Sequence, residues 1–200
     1  MSSITDYASL MLDAAEYAAR TNIAHVFPRY LGMAETKLNR ALRVADMEVE
    51  GIVPITDGDG TLPDDFLEAR QVLSPSAVPL RAMSLQQMVN AYREQSGTPA
   101  GYAVVGRMIK VRPKATGDLA VTYFGRLPAL TPASPTNWLL ARAPDVYLYA
   151  VVAEIAIAAQ DAAKTQAAMQ FLGLALQGLQ IEDERRRWGN AQVVVGGLTP

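Results

Sequence analysis

The chain contains no cysteine in its 200 residues. That excludes disulfides, thiolate metal sites and cysteine nucleophiles, and leaves the redox compartment open. Histidine occurs once, as His25. No serine elbow, phosphate loop or metal-spaced partner accompanies it, so no nucleophile–base pattern is recognisable. His25 reads as a helix-entry or surface residue. Aromatic residues make up 7% of the chain, too few for a platform on which nucleic-acid bases would stack. Basic charge is not in excess: the net charge is −2, which points to neither nucleic acid nor an anionic membrane. No apolar run reaches the ~20 residues of a membrane crossing. Met1 to Asp6 carry neither a basic segment nor a long apolar one and predict no secretory signal. Gly97, Gly101 and Gly106 do not make the Gly-x-Gly-x-x-Gly pattern of a phosphate-binding turn.

What is present is a globular composition, 50% hydrophobic and 19% charged. The length suffices for one core plus a small inserted subdomain. The most informative stretch runs from Asn137 to Asp161. Pro144 suits the first helical position, and Asp145 complements the positive end of the helix dipole. From Val146 to Ala159 the one charged residue is Glu154. A helix apolar almost all round is buried, so this one is predicted to be central to a helical domain.

Two helices are predicted before residue 46. Ser3 followed by Asp6 resembles a capping box, and Ile4, Tyr7, Met11 and Ala18 repeat at helical spacing. Pro28 opens the second helix, with Leu31, Ala34 and Leu38 inward and Arg29, Glu35, Lys37, Arg40 and Arg43 on wet faces. From Met47 the pattern changes. Met47 to Thr56 alternates loosely and ends at the turn Asp57-Gly58-Asp59-Gly60. Glu68–Leu73 and Val78–Ala82 read as strands, and Ser84 caps a short helix carrying Leu85, Met88 and Val89. Gly106-Arg107 has the spacing of a two-residue hairpin, and Leu119, Val121 and Tyr123 alternate along a further strand. Prolines 128, 132 and 135 mark a linker back to the helical part. The last helix is expected to turn Ala168, Phe171, Leu172, Ala175, Leu176 and Leu179 inward. Gly173 and Gly178 each cost roughly 1 kcal/mol in a helix interior, which close helix packing would justify.

The fold class expected is α+β: mainly an α-helical bundle with a small β-rich insertion and an extended C-terminal arm. The boundaries are 1–46 and 131–190 for the helical domain, 47–130 for the insertion and 191–200 for the arm. In the arm Gln192, Val193, Val194 and Val195 favour an extended strand, which needs an edge to join and makes them candidate partner-binding residues.

Three clusters bear on chemistry. Asp57, Asp59, Asp64 and Asp65 are the densest carboxylates and the one feature favouring a small carboxylate-dependent enzyme. Set as a calcium loop with Gly60 at its sixth position, they leave Ile55 and Phe66 where oxygen ligands are required, so a polar hairpin turn is the better reading. Arg185, Arg186 and Arg187 form the basic run. Glu182 and Asp183 lie four residues before Arg186 and Arg187, so a solvated helix end or a subunit contact is favoured over phosphate. A DNA-binding accessory protein would rest on these arginines. Lys110, Arg112 and Lys114, at period two, make one strand face basic.

The order of several segments adds a family resemblance. Thr61-Leu62-Pro63-Asp64-Asp65-Phe66-Leu67-Glu68 is followed by Pro79-Leu80, by Gly97-Thr98-Pro99-Ala100-Gly101-Tyr102 and by Ile109-Lys110-Val111-Arg112-Pro113. Leu119 to Phe124, Leu127-Pro128-Ala129-Leu130-Thr131, Asn137-Trp138-Leu139-Leu140 and Pro144-Asp145-Val146-Tyr147-Leu148-Tyr149 come after them. The series, over roughly residues 20–195, resembles the head-to-tail adaptor (connector) proteins of tailed bacteriophages and gene transfer agents. The resemblance implies a non-enzymatic ring protein of the virion neck, assembled in the host cytoplasm, with no catalytic, metal or cofactor site to carry over. It implies docking under the portal protein, a platform for tail or stopper proteins, and self-association matching the portal's twelve-fold symmetry. Genomic DNA would pass through the lumen without sequence-specific contact, and no membrane is involved.

Overall fold

The structure, a computed structural model, describes residues 4–188. The expected strand at Gln192, Val193, Val194 and Val195 and the whole arm lie outside the described residues. The chain divides into two compact units, one formed by residues 4–46 and 127–188, the other by Met47–Arg126.

The first unit is helical. It contains α1 (Tyr7–Tyr17) and α2 (Phe27–Ala41), whose buried stripe is Phe27, Leu31, Ala34, Glu35 and Leu38. Asp6 caps α1: its carboxylate accepts from Ser9 N–H at 2.8 Å, and the Ser9 hydroxyl returns a contact to the Asp6 backbone; Ser3 lies outside the described residues. The cap therefore sits three residues later than the spacing from Ser3 predicts.

Met47–Arg126 forms a β unit. Its strands are β1 (Glu48–Thr56), β2 (Asp59–Thr61), β3 (Phe66–Leu73), β4 (Arg81–Ala82), β5 (Gly101–Val105), β6 (Met108–Arg112) and β7 (Gly117–Gly125). A helix, α3 (Leu85–Tyr92), lies between β4 and β5, capped reciprocally by Ser84 and Gln87. The strand order is β3-β7-β1-β2-β6-β5-β4, and β4–β5 is the parallel pair. The outer strands nearly meet. Leu73 bridges Pro79 just before β4, and Leu80 N–H donates to the Val72 carbonyl at 2.8 Å. The interior holds Val53, Ile55, Val72, Ile109, Val111, Leu119, Val121 and Tyr123, alternate residues of the long strands. Asp57 and Gly58 make the β1–β2 turn with φ of 52° and 83°, the left-handed pair that a tight hairpin demands.

The expectation of a mainly helical bundle with a small insertion is overturned. The protein is 45% helix and 24% strand, and a seven-stranded, nearly closed sheet with its own core fills one unit. The sheet hides in the sequence because β2 and β4 are two or three residues long. Its strongest pairing also joins β1 to β7, which are far apart in the chain.

The helical unit resumes with α4 (Trp138–Arg142), α5 (Pro144–Ala158) and α6 (Ala162–Trp188). Helix α5 is central. Ten of its residues, from Val146 to Ala156, are buried, and it packs on α1, α2, α4 and α6. Burial of each large apolar side chain contributes about 1.5–3 kcal/mol. Two carboxylates are buried with it. Glu154 pairs with Lys37 of α2. Glu35, which spacing places on a wet face, is 8% exposed. Its Oε1 accepts from the Tyr147 hydroxyl at 3.1 Å and from Leu130 N–H at 2.8 Å. Asn137 donates to the Tyr147 hydroxyl and to the Pro128 carbonyl, both at 2.7 Å, while its own oxygen caps α4. This network fastens the proline-rich linker to α2 and α5.

Helix α6 departs from expectation. Ala168, Leu179 and Asp183 are its buried residues, and Phe171, expected inside, is exposed. A Cβ added at Gly173 or Gly178 would meet nothing within 4 Å, so no helix among the described residues packs against either glycine.

Candidate interaction surfaces

The C-terminal end of α6 gathers the three arginines, and the chain itself engages two of them. Arg187 Nε lies 2.7 Å from Asp183, whose buried carboxylate also accepts from Ala45 N–H at 2.9 Å. Arg186 does not take Glu182, as the i,i+4 spacing suggests. It reaches Asp46 at 2.8 Å, where Arg142 also binds, and Glu182 lies 3.7 Å from Arg142 instead. Burial raises the Asp46 pKa, but hydrogen bonds from Arg186 and Arg142 and their charges outweigh it, so the carboxyl lies below its ordinary value. Arg185 is exposed and, among the described residues, makes no ion pair. One loose arginine is a weak basis for a phosphate-binding site.

In the β unit the acidic cluster is neutralised in place. Asp59 receives Lys110 at 2.8 Å and Arg112 at 3.5 Å, and Lys114 lies 2.9 Å from Asp57 and 2.7 Å from Glu94. Asp64 pairs with Arg107, and Asp65 accepts from the Tyr123 hydroxyl at 3.0 Å. The Lys110 hydrogen bond holds Asp59 below the usual carboxylate range. Burial, then the hydrogen bond to Asp65, pushes the Tyr123 phenol up to about 12. The basic strand face and the aspartates thus answer each other as a cross-strand network that closes the hairpin. Among the described residues no group of three or more His, Asp or Glu side chains is arranged to hold a metal ion.

The unsatisfied surface is apolar. Met169, Phe171, Leu174 and Trp188 of α6 are 54%, 51%, 58% and 67% exposed. Phe171 stacks on Tyr149 of α5 with ring centroids 5.3 Å apart, and Tyr149 meets Tyr17 of α1 edge to face at 6.4 Å. Beside this row a cleft of about 380 Å³ is lined by Asp145, Tyr149, Leu174, Gly178 and Glu182, among others. Met169 lies on the other flank of the helix, but the exposed aromatic and aliphatic side chains of the Phe171, Leu174 and Tyr149 side form a row of the kind that marks a surface binding protein. Such a surface with no convergent acid–base group suits assembly.

The sequence model of the SU10 adaptor protein family matches residues 5–196. The chain belongs to that family. It is accordingly a structural head-to-tail adaptor of a phage virion. No curated protein matches the sequence significantly. The adaptor segments quoted for the resemblance fall at ordered places: Leu127 to Leu130, Asn137 and Tyr147 meet in the Glu35 network, and Thr61 to Glu68 leads from β2 into β3. Sequence reasoning missed the outer face of α6. Its signal was present as apolar or small residues at alternating spacings of four and three from Ala167, but it was masked by the inner stripe of the same helix.

Proposed function

We propose that this adaptor forms a ring under the portal protein at the capsid vertex, continues the channel for genomic DNA and offers the tail or stopper proteins a platform. The match to the adaptor family over almost the whole chain carries this reading. The surfaces support it: exposed aromatic and aliphatic side chains on α6, and an acidic cluster in the β unit whose Asp57, Asp59 and Asp64 are paired with basic groups of the same unit. The ring would match the portal's twelve-fold symmetry, with DNA passing through without base-specific contact. Closure by rotation requires two different patches that meet head to tail. Gln192 to Val195 and the exposed Arg185 are proposed as portal or neighbour contacts, the valines by adding a strand to a sheet edge.

The test is electron microscopy of portal-bearing particles with and without the adaptor. A ring of density at the vertex is the expected outcome; a two-fold dimer that persists with portal present would refute the reading. DNA binding with a steep salt dependence would instead favour a DNA-binding accessory protein.

A further inference from the structure

We infer that the arm of one subunit, at Gln192-Val193-Val194-Val195, adds as a strand to the open seam of the β unit in the next subunit of the ring. The inference rests on the adaptor-ring reading and names the sheet edge that the arm joins.

The seam is a gap in the wall of the nearly closed sheet. Residues 79–83 close one end of it. Leu80 N–H donates to the Val72 carbonyl of β3, and Met83 N–H donates to the Tyr102 carbonyl of β5, each at 2.8 Å. Strand β4 then ends at Ala82, while β5 runs on to Val105. Backbone groups that point to one side of a strand recur every second residue. The Tyr102 carbonyl points toward β4, so the N–H and carbonyl of Val104 point the same way. Among the described residues no strand lies beside them. Across the gap, residues 66–69 of β3 pair with β7 on their other side. Between the two edges lies a cleft of about 300 Å³, lined by Phe66, Leu67, Ala69, Met83, Tyr102 and Val104 among others.

The core under this cleft is incompletely covered. Val104 stands directly opposite Ile109 on β6 and, two residues from the core residue Tyr102, faces the same interior. Ile109 is fully buried, whereas Val104 is 41% exposed. Phe66 and Ala69, on the far side of the cleft, pack on that core and are partly buried. These side chains are wet because, among the described residues, no strand flanks them at the seam.

Unpaired strand edges specify the occupant as an extended peptide, apolar at the alternate positions that face the core. Register shifts between Phe66 and Glu68 and between Ala69 and Gln71 break the β3 edge, so β5 supplies the hydrogen bonds and β3 the packing. The open stretch is short, residues 103–105 on β5 and 66–69 on β3. Gln192-Val193-Val194-Val195, outside the described residues, matches it in length and carries three β-branched side chains. Gly196-Gly197 follows, where the chain can turn away. With Val193 and Val195 set inward against Val104 and Phe66, Gln192 and Val194 point outward. Arm and seam are different surfaces, so each subunit gives one and receives the other. That is the head-to-tail contact that rotation closes into a ring.

The chain has no cysteine, so introduced ones report this contact alone. Val105 is exposed and follows Val104, on the outer face of β5. Subunits carrying Val105→Cys are mixed with subunits carrying Val194→Cys, assembled on portal-bearing particles and treated with a short bis-maleimide. Adaptor dimers are expected from the mixture and not from either variant alone. Val193→Cys or Val195→Cys in place of Val194→Cys should give several-fold fewer dimers, because a strand turns those positions inward. Independently, Val193→Asp combined with Val195→Asp should abolish rings while the melting temperature of the free subunit stays that of the wild type. Rings without dimers in the mixture, equal linking at all three arm positions, or rings that persist with both aspartates would overturn the inference. A link found only within a subunit carrying both cysteines would place the arm in its own seam and overturn the neighbour contact. Absence of rings from the wild-type protein would instead overturn the adaptor-ring reading.

Discussion

Tyr147 is fully buried yet carries a hydroxyl, and the surroundings are built to satisfy it. It receives Asn137 and donates to Glu35, whose carboxyl lies above its ordinary range because burial outweighs the hydrogen bonds from Leu130 and Tyr147. Ionised Glu35 is therefore disfavoured in the fold. Its contribution to stability is complete below its reference value of 4.5 and is lost as pH rises through the higher folded value. Tyr147→Phe deletes the hydroxyl and should cost about 1–3 kcal/mol in urea denaturation. Asp59 behaves oppositely. Its folded pKa is lowered by Lys110, so its contribution is present above 3.8 and is lost as pH falls through the folded value. Asp59→Asn should lower the melting temperature at neutral pH and leave it unchanged once the pH is well below 3.8. Equal effects at both pH values would show that the Lys110 contact is not electrostatic.

Helices α5 and α6 are both rich in apolar residues and have opposite fates. In α5 the apolar residues surround the axis and neighbouring helices cover them. Leu148→Ala should cost about 2–5 kcal/mol, the range for a buried large-to-small change. In α6 the apolar residues form separate stripes, and the described residues cover one of them. Gly173 and Gly178 lie in helix with open space above them, so Gly173→Ala and Gly178→Ala should each stabilise the free subunit by about 0.5–1 kcal/mol. A Gly178→Ala subunit that is more stable yet assembles less well would separate the demands of the fold from those of the contact. A loss of stability would mean that something already packs there.

At the scale of the molecule, the β unit is entered and left at neighbouring points. Glu48 pairs with Phe124 across β1 and β7, which brings the two ends of the unit side by side. With its own core and adjacent ends, a chain of residues 47–126 should fold alone, giving a β-type circular dichroism spectrum and a cooperative melt. A featureless melt would show that the helical unit is needed. Removal of residues 191–200 should leave the melting temperature of the free subunit nearly unchanged and abolish stable attachment to portal-bearing capsids. Full attachment of the truncated protein would leave the segment no docking role.

The sequence by itself determined what depends on neighbours within a turn or a strand. Pro144 and Asp145 announced the start of α5, Ser84 capped α3, Asp57-Gly58 made the hairpin, and Leu119, Val121 and Tyr123 faced one side of β7. It also carried the family, through the order of its segments. Tertiary structure decided what depends on partners distant in the chain. The sheet exists through pairings such as β1 with β7 and β2 with β6, and short strands without long-range partners leave no periodic signal. Glu35 looks like a surface residue until Tyr147 and Leu130 are brought to it. Phe171 looks like a core residue until the helix is rotated. Hydrophobicity marks a side chain for burial without saying against what, and on α6 one apolar stripe meets the chain's own core while the other faces outward.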